Sequence, residues 1–224
     1  MISLPVLRLL QLCSANLPTG AYAFSQGLET ATEELWLRNF DDAKAWLEVQ
    51  LEHSLGCSEL PLLLRLIDAL EASDQTAQQH WNSVALAIRE TKELRLTDSA
   101  TGQALLRVLN GLESGDIDHA FKNEPEVSFI SAFSLAACQW GISADDACLG
   151  YAWSWLENQV AAATKLVPLG QTQSQQLLEQ LQPQILHAIK IAQQCTDDEI
   201  GSSLPALAIA SCWHEHQYSR LFRS

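Results

Sequence analysis

The chain has 224 residues, and 47% of them are hydrophobic, which is enough apolar material to build a buried core. Its 13 Lys and Arg residues and 27 Asp and Glu residues give a formal net charge of −14. Because such a surface repels phosphate groups, the composition argues against a protein that binds nucleic acid or an anionic membrane.

Apolar residues recur with helical spacing along most of the chain, and the residues that interrupt this pattern predict where helices begin and end. In chain order, the predicted helices begin at or near Asp41, Leu60, Asp74, Asp98, Val127, Ser143 and Gln171. Gly111 and Gly115 are predicted to end the helix that begins at Asp98, and Gly141 to end the next one. The helix that begins at Ser143 is predicted to run to about Leu166, before Pro168.

No stretch shows sustained alternation of β-branched residues, so no strand is predicted. Neither a repeat period nor a long linker divides the sequence. We therefore expect an all-α protein with one helical-bundle-like domain over residues 1–224 and roughly eight to ten helices. Segment 1–12 has Arg8 within its apolar run and no small-residue cleavage site, so we expect it to be part of the fold rather than a signal peptide.

The six cysteines are scattered and form no C-x-x-C pair. Since the chain has ample core material, this spacing predicts free thiols in a reducing compartment, and we expect a cytoplasmic protein. The longest apolar runs are far shorter than the ~20 residues that cross a bilayer, so no membrane span is predicted.

The motifs that carry common enzymatic chemistry are absent from the sequence. The glycines form neither a dinucleotide-binding fingerprint nor a phosphate-binding loop, and there is no H-E-x-x-H zinc motif. Asp116 and His119 are interpreted as a surface pair, because a di-iron site needs two E-x-x-H motifs on facing helices. His214 and His216 flank Glu215, but residues two apart point to different sides of a helix, so we expect surface histidines. No catalytic residue, cofactor or metal site is predicted.

Three segments are more specialised than packing requires, and the first is residues 17–29. Pro18 and Gly20 set a sharp turn into a helix. Tyr22 is a rigid aromatic residue with a polar tip, a type enriched at protein interfaces, although it suits a boundary position of the core equally well. Gly27 lies within a helical pattern, where glycine costs about 1 kcal/mol relative to alanine, so we expect a neighbouring segment to pack closely against it.

The second specialised segment is residues 157–171. Three consecutive alanines in it present little bulk and permit tight packing of a neighbouring helix. Lys165 lies near the predicted end of this helix, where a cation interacts favourably with the helix dipole.

The third specialised segment is the C-terminal tail, residues 204–224. Its last residues place Leu221 and Phe222 between Arg220 and Arg223. Cationic and apolar groups at a chain end predict a segment that docks into a groove, either on its own body or on a partner, where an arginine makes a bidentate contact with a carboxylate.

Four groups of residues, taken in order, match those of a known family. They are Pro18, Gly20, Ser25, Gly27, Leu28 and Glu29; Arg89, Glu90, Leu94, Arg95 and Gly102; Asn158, Gln159, Ala161, Ala162, Pro168, Leu169, Gly170 and Gln171; and His214, Glu215, Ser219, Arg220, Leu221, Phe222 and Ser224. Together they closely resemble the urease accessory protein F family, over nearly the whole chain. The departures are modest: Ala21 stands where the family often has Gly or Ser, and Ala208 and Ala210 stand where Met is common.

The resemblance implies an all-α urease maturation factor that is often a homodimer and is not an enzyme. Such proteins bind the urease accessory protein D, called H in some organisms, and the pair recruits the nickel-carrying GTPase, accessory protein G. The assembly engages apo-urease, and GTP hydrolysis is coupled to nickel delivery. The partner-binding residues that the resemblance implies are Tyr22, Gln26, Glu29, Lys165, Gln171, His214, Tyr218, Arg220, Leu221, Phe222 and Arg223.

Three alternative functions remain open at this point. A GTPase-activating protein in the strict sense would insert a finger residue into the nucleotide site, with Arg220, Arg223 and Lys165 as candidates. A nickel metallochaperone would bind the metal itself, with candidate ligands His214, His216 and Cys212. A generic helical adaptor would make the resemblance to the urease family coincidental.

Overall fold

The computed structural model describes residues 3–112, 120–121 and 124–223, and within these ranges it contains helices and no β-strand. The all-α prediction is therefore confirmed. The α-helices are α1 (Leu4–Leu12), α2 (Leu28–Glu33), α3 (Phe40–Val49), α4 (Leu60–Glu71), α5 (Gln75–Ala87), α6 (Lys92–Gly111), α7 (Phe129–Gln139), α8 (Ala144–Leu166), α9 (Gln171–Gln194) and α10 (Pro205–His214). The predicted surface pair Asp116 and His119, the predicted helix end at Gly115, and Ser224 lie outside the described residues.

Several helix starts predicted from the sequence are confirmed, and four of them carry a side-chain cap. The caps are Asn39 at α3, Asp74 at α5, Ser128 at α7 and Ser143 at α8, and each side chain accepts the backbone N–H of the residue three positions on. These bonds satisfy donors that the first turn of a helix leaves free. The helix α9 begins at Gln171, as its sequence predicts.

The predicted helix start at Asp98 is wrong, because α6 begins earlier. Thr91 caps this helix, and its hydroxyl accepts the backbone N–H of Leu94 at 3.1 Å. Asp98 lies buried inside α6, where its carboxylate accepts hydrogen bonds from Arg89 and from the backbone N–H of Phe129. Aspartate is a common helix-start residue, and the local sequence does not show that this one is used in a buried ion pair.

A π-helical segment, Gln50–Glu59, joins α3 directly to α4. The chain is therefore helical without a break from the start of α3 to the end of α4, although the sequence predicts two separate helices. The π segment packs along α9, where Gly56 permits a close approach: a Cβ at this position would lie 3.3 Å from the Ala188 Cα.

One hydrophobic core runs through the described part of the molecule. It is built by the π segment and α4 together with the inner faces of α7, α8 and α9. The fully buried large side chains include Leu51, Leu55, Leu63, Leu66 and Phe133. None of the described helices is long and apolar enough to cross a membrane.

The contact between α6 and the segment that precedes α7 provides a test of the packing. A Cβ at Gly102 would lie 2.7 Å from the backbone carbon of Ser128 and would also overlap the Val127 carbonyl, and neither backbone group can move aside cheaply. We predict that Gly102→Ala lowers the free energy of unfolding by about 1–3 kcal/mol, measured by urea denaturation.

Gly111→Ala is the matched control, because Gly111 lies on the same helix and a Cβ there meets nothing within 4 Å. This substitution should leave stability unchanged or raise it by up to about 1 kcal/mol. Equal stability of the two variants would contradict the close packing at Gly102.

Candidate partner-binding site

The helices α2 and α10 lie against each other, and a glycine makes their contact close. Gly27 precedes α2 with a φ of 82°, a backbone conformation that favours glycine. A Cβ at this position would lie 3.1 Å from Leu207 Cδ1 and 3.3 Å from Ala210 Cβ, both on α10. The predicted close neighbour at Gly27 is therefore confirmed, although this glycine lies at the N-cap rather than inside the helix.

His214, the last residue of α10, is buried with 0% of its surface exposed. Its Nδ1 lies 2.8 Å from Glu93 Oε2, and its Nε2 lies 3.2 Å from Glu29 Oε2. The prediction of a surface histidine is therefore wrong for His214, whereas His216 is exposed. Both nitrogens of this buried ring therefore lie within hydrogen-bond distance of a carboxylate, and the two carboxylates come from helices that are distant in the sequence.

The part of the C-terminal tail that follows α10 folds back onto α2, and its backbone makes the contacts. Glu29 accepts the backbone N–H of Leu221 at 2.6 Å and that of Phe222 at 2.9 Å. The next amide, that of Arg223, donates to the carbonyl of Ala23 at 2.8 Å. Only 6% of the Phe222 surface is exposed. The name tail latch is used below for Glu29, Glu93, His214 and residues 220–223.

Two cationic side chains complete this arrangement. Arg220 donates from Nη1 to Glu93 Oε1 at 3.1 Å, and its other nitrogens donate to two backbone carbonyls just before it. Lys165, near the end of α8, has its Nζ 5.4 Å from the centre of the Phe222 ring, which is within cation–π range. The structure thus docks the tail on its own body, which is one of the two alternatives that the sequence leaves open.

The remaining predicted partner-binding residues lie outside the tail latch. Tyr22 is 68% exposed and lines a cavity beside α8. Gln26 has a φ of 51° and accepts a hydrogen bond from the Trp155 indole at 3.0 Å. Gln171 is the exposed first residue of α9, and Tyr218 is fully exposed. The partner-binding roles of these residues, and of those in the latch, stay predictions.

The candidate nickel ligands have different surroundings in the structure. His214 is enclosed between the two glutamates of the tail latch, whereas Cys212 and His216 are exposed. Among the residues that the structure describes, no group of three or more His, Cys, Asp or Glu side chains is arranged to hold a metal ion.

A buried charge cluster that the sequence does not reveal joins the π segment, α6 and α8. Arg89 donates to Glu59 at 2.8 Å and to Asp98 at 3.2 Å, and the Tyr151 hydroxyl donates to Glu59. Burial by itself raises the pKa of Glu59, but the Arg89 charge and the hydrogen bonds outweigh it and hold this pKa below its usual value. For Asp98 burial dominates and raises the pKa despite the nearby Arg89.

Neither this cluster nor Glu93 of the tail latch follows from local sequence patterns. Tyr151 and Glu59 are 92 positions apart, and Glu93 and His214 are 121 positions apart. The only local signal is the presence of charged residues within helical segments, and such residues usually lie on a solvated face.

Comparison with known proteins places the chain in a family. A family model described as UreF matches residues 37–182, which is more than half of the chain. The urease accessory protein UreF of Marinomonas sp. (strain MWYL1) is 51% identical over 219 residues, covering 98% of this chain and 94% of the relative. The chain belongs to the UreF family of urease accessory proteins.

Two further UreF relatives extend this result. The protein of the same name from Teredinibacter turnerae (strain ATCC 39867 / T7901) is 47% identical over 219 residues, covering 98% of each chain. That from Pseudomonas putida (strain GB-1) is 43% identical over 221 residues, covering 99% of this chain and 98% of the relative. The likeness to the UreF family therefore reaches α2 and α10, which lie outside the part matched by the family model.

The tail latch depends on the negative charge of Glu29, which attracts two backbone N–H groups and faces His214. We predict that Glu29→Gln speeds hydrogen–deuterium exchange of the Leu221 and Phe222 amides by roughly tenfold or more, since charge-assisted hydrogen bonds contribute about 1.5–3 kcal/mol. Mass spectrometry or NMR measures this exchange in the intact chain.

The matched control is Glu34→Gln, which removes the charge of an exposed glutamate just after α2. Circular dichroism should show the same helix content in both variants. Equal protection of the tail amides in the two variants would show that Glu29 does not hold the tail.

Proposed function

We propose that this chain is a scaffold for urease maturation. In this role it joins the urease accessory proteins D (or H) and G, and it couples GTP hydrolysis by the G protein to nickel delivery into apo-urease. Membership of the UreF family supports a role in urease maturation. The tail latch is the observation that supports a docking role. The same proposal includes a homodimer in the cytoplasm with no catalytic activity of its own.

The tail latch holds the backbone of the tail while leaving apolar side chains in solvent. Leu221 is exposed although its amide is bound, and Tyr218 is fully exposed. Ile209 and Trp213 on α10 are exposed as well. Exposed apolar side chains that follow one another in a short segment are typical of a protein-interaction surface. This tail surface, defined by these four side chains, is the proposed docking site for the D protein.

A tail that is already ordered has a thermodynamic advantage in such docking. Side chains and loops that become fixed on binding lose conformational freedom, and this loss reduces the affinity. Since the Glu29 carboxylate fixes the backbone beforehand, less of the interface energy is spent on ordering the tail. A net charge of −14 further favours encounter with partners that present cations.

A stable complex requires a larger area than the tail surface alone. Standard interfaces bury about 1,600 Å² in total, or about 800 Å² on each partner. We therefore include Lys165, which touches the tail through Phe222, in the proposed surface. Tyr22, Gln26 and Gln171 are proposed as further partner contacts, for the D protein or the G protein.

Among the residues that the structure describes, no contact favours the strict GTPase-activating or the metallochaperone alternative. Arg220 donates from all its nitrogens within its own chain, so a finger role would first require it to leave the tail latch. His214 has both ring nitrogens against carboxylates and no exposed surface, so nickel binding would likewise require the latch to open.

Truncation after Tyr218 tests the docking role of the tail. We predict that the truncated chain stays soluble and helical but that its retention by immobilised D protein falls by roughly tenfold or more, because it loses Leu221 of the tail surface and the latch contacts that hold the tail in place. Co-purification measures retention, with the full-length chain and Arg107→Ala, an exposed arginine of α6, as controls. Full retention of the truncated chain would contradict the proposed docking site.

GTP turnover by the G protein separates a scaffold from a finger residue. We predict that Arg220→Ala lowers turnover only in proportion to the complex that is lost, because Arg220 acts by holding the tail. A finger residue contributes about 10³–10⁵ in rate, so a loss of that size with the complex intact would contradict the scaffold. Size-exclusion chromatography measures the complex, and Arg107→Ala is again the control.

A further inference from the structure

A groove of about 400 Å³ lies between α3 and the first turn of α10. Val49 has 46% of its surface exposed and Trp36 has 36%, so apolar side chains of this groove face solvent. The name aromatic groove is used below for its large apolar lining residues, which are Trp36, Trp46, Val49, Leu204, Pro205 and Leu207.

A row of three tryptophans connects the aromatic groove to the tail surface. The centre of the Trp36 ring lies 6.4 Å from that of Trp46 and 5.7 Å from that of Trp213. Trp213 belongs to the tail surface and has 49% of its surface exposed. Atoms in contact are about 3.5–4.0 Å apart, so a protein that covers the exposed part of Trp213 also reaches Trp36. The two surfaces are therefore continuous.

The aromatic groove is an apolar face on a chain with a net charge of −14. Its described lining includes one charged side chain, that of Asp42, which accepts hydrogen bonds from the backbone N–H and the guanidinium of Arg38. Apolar side chains can therefore enter the groove without burying an unpaired charge. Contiguous exposed apolar side chains mark interaction surfaces, and tryptophan is enriched among the residues that dominate binding energy.

A small molecule matches this groove less well than a protein does. Pockets for small ligands carry a few precisely placed polar groups that fix the orientation of the ligand. In this lining Asp42 is paired with Arg38, and the Gln50 amide donates to the Trp46 carbonyl at 3.3 Å. These two polar side chains are thus already engaged within the chain.

The area that a stable complex requires favours one partner for both surfaces. Each side of a standard interface buries about 800 Å², which is more than the four side chains of the tail surface supply. The aromatic groove adds apolar area that continues directly from Trp213. A partner that docks on the tail therefore gains this area without a separate contact elsewhere.

We propose that the aromatic groove is the second part of the docking site for the D protein, and that it takes apolar side chains from one segment of that protein. This inference rests on the proposed function. The segment crosses Trp213 and Trp36 and places its apolar side chains between α3 and the start of α10. The tail surface and the aromatic groove then form one interface, in which the row of tryptophans is central.

A charge placed in the groove tests this proposal. We expect Val49→Asp to lower retention by immobilised D protein by roughly tenfold or more, because docking would bury an unpaired carboxylate. Leu186→Asp is the matched control: Leu186 is 56% exposed on α9, takes the same change in charge and lies outside the groove, so retention should not change. Equal retention of the two variants would overturn the proposal.

Two further readouts show that the effect arises in the groove itself. Circular dichroism and urea denaturation should give the same helix content and stability for both variants, since both positions are exposed. Hydrogen–deuterium exchange of the Leu221 and Phe222 amides should match that of the unaltered chain. Faster exchange of these amides in Val49→Asp would place the effect in the tail latch and overturn the proposal.

Photo-crosslinking identifies the protein that covers the groove. With p-benzoylphenylalanine in place of Val49 we expect a crosslink to the D protein, and with the same group in place of Leu186 we expect none. A crosslink from position 49 to a second copy of this chain, and none to the D protein, would overturn the proposal.

Retention of the unaltered chain separates this inference from the proposed function. If the D protein does not retain the unaltered chain, the proposed docking role is wrong, and the inference is wrong with it. If the D protein retains the unaltered chain and Val49→Asp equally well, the groove alone is excluded from the interface.

Discussion

The Glu29 carboxylate is the contact on which the arrangement of the chain ends depends. It accepts two backbone amides of the tail and faces His214, at sequence separations of 185 positions or more. The entropic cost of closing a loop grows only slowly with its length, so a few charge-assisted bonds suffice once α2 and α10 are packed on the core. Glu29 also lies in the first turn of α2, where the helix dipole favours a negative charge. One side chain therefore fixes the start of a helix and the end of the chain together.

The same contact explains why the tail prefers its own body to solvent. If the tail left, Glu29 would lose two amide donors and Glu93 would lose the Arg220 guanidinium, and both glutamates are buried when the tail is docked. Buried carboxylates without partners are costly, so displacement of the tail requires donors that replace those lost. A partner that binds the tail in place meets no such cost. The latch therefore favours partners that bind the exposed side of the docked tail.

Local patterns in the sequence predict the parts of this fold that local interactions determine. Ser143 caps α8 and Gly27 permits a close contact, and each follows from the chemistry of the residue and its neighbours. Asp98 is the type of residue that caps helices, but in this fold its carboxylate accepts a hydrogen bond from Arg89 instead. The prediction that His214 lies on the surface is wrong for a related reason, because the carboxylates that contact it come from two other helices. Long-range ion pairs between helices leave no periodic signal, so the latch and the charge cluster become visible only when the helices are packed.

The tail latch and the cavity beside α8 share structural elements. Arg89 and Asp98 line the cavity, while Glu93, between them in sequence, holds His214 and Arg220. The start of α6 is tied to α10 by a 2.7 Å hydrogen bond between the Thr91 and Ser211 hydroxyls. The loop before α2 also serves both sites, since Tyr22 and Gln26 line the cavity and the neighbouring Ala23 accepts an amide of the tail. A movement of either element therefore changes both the cavity lining and the tail latch.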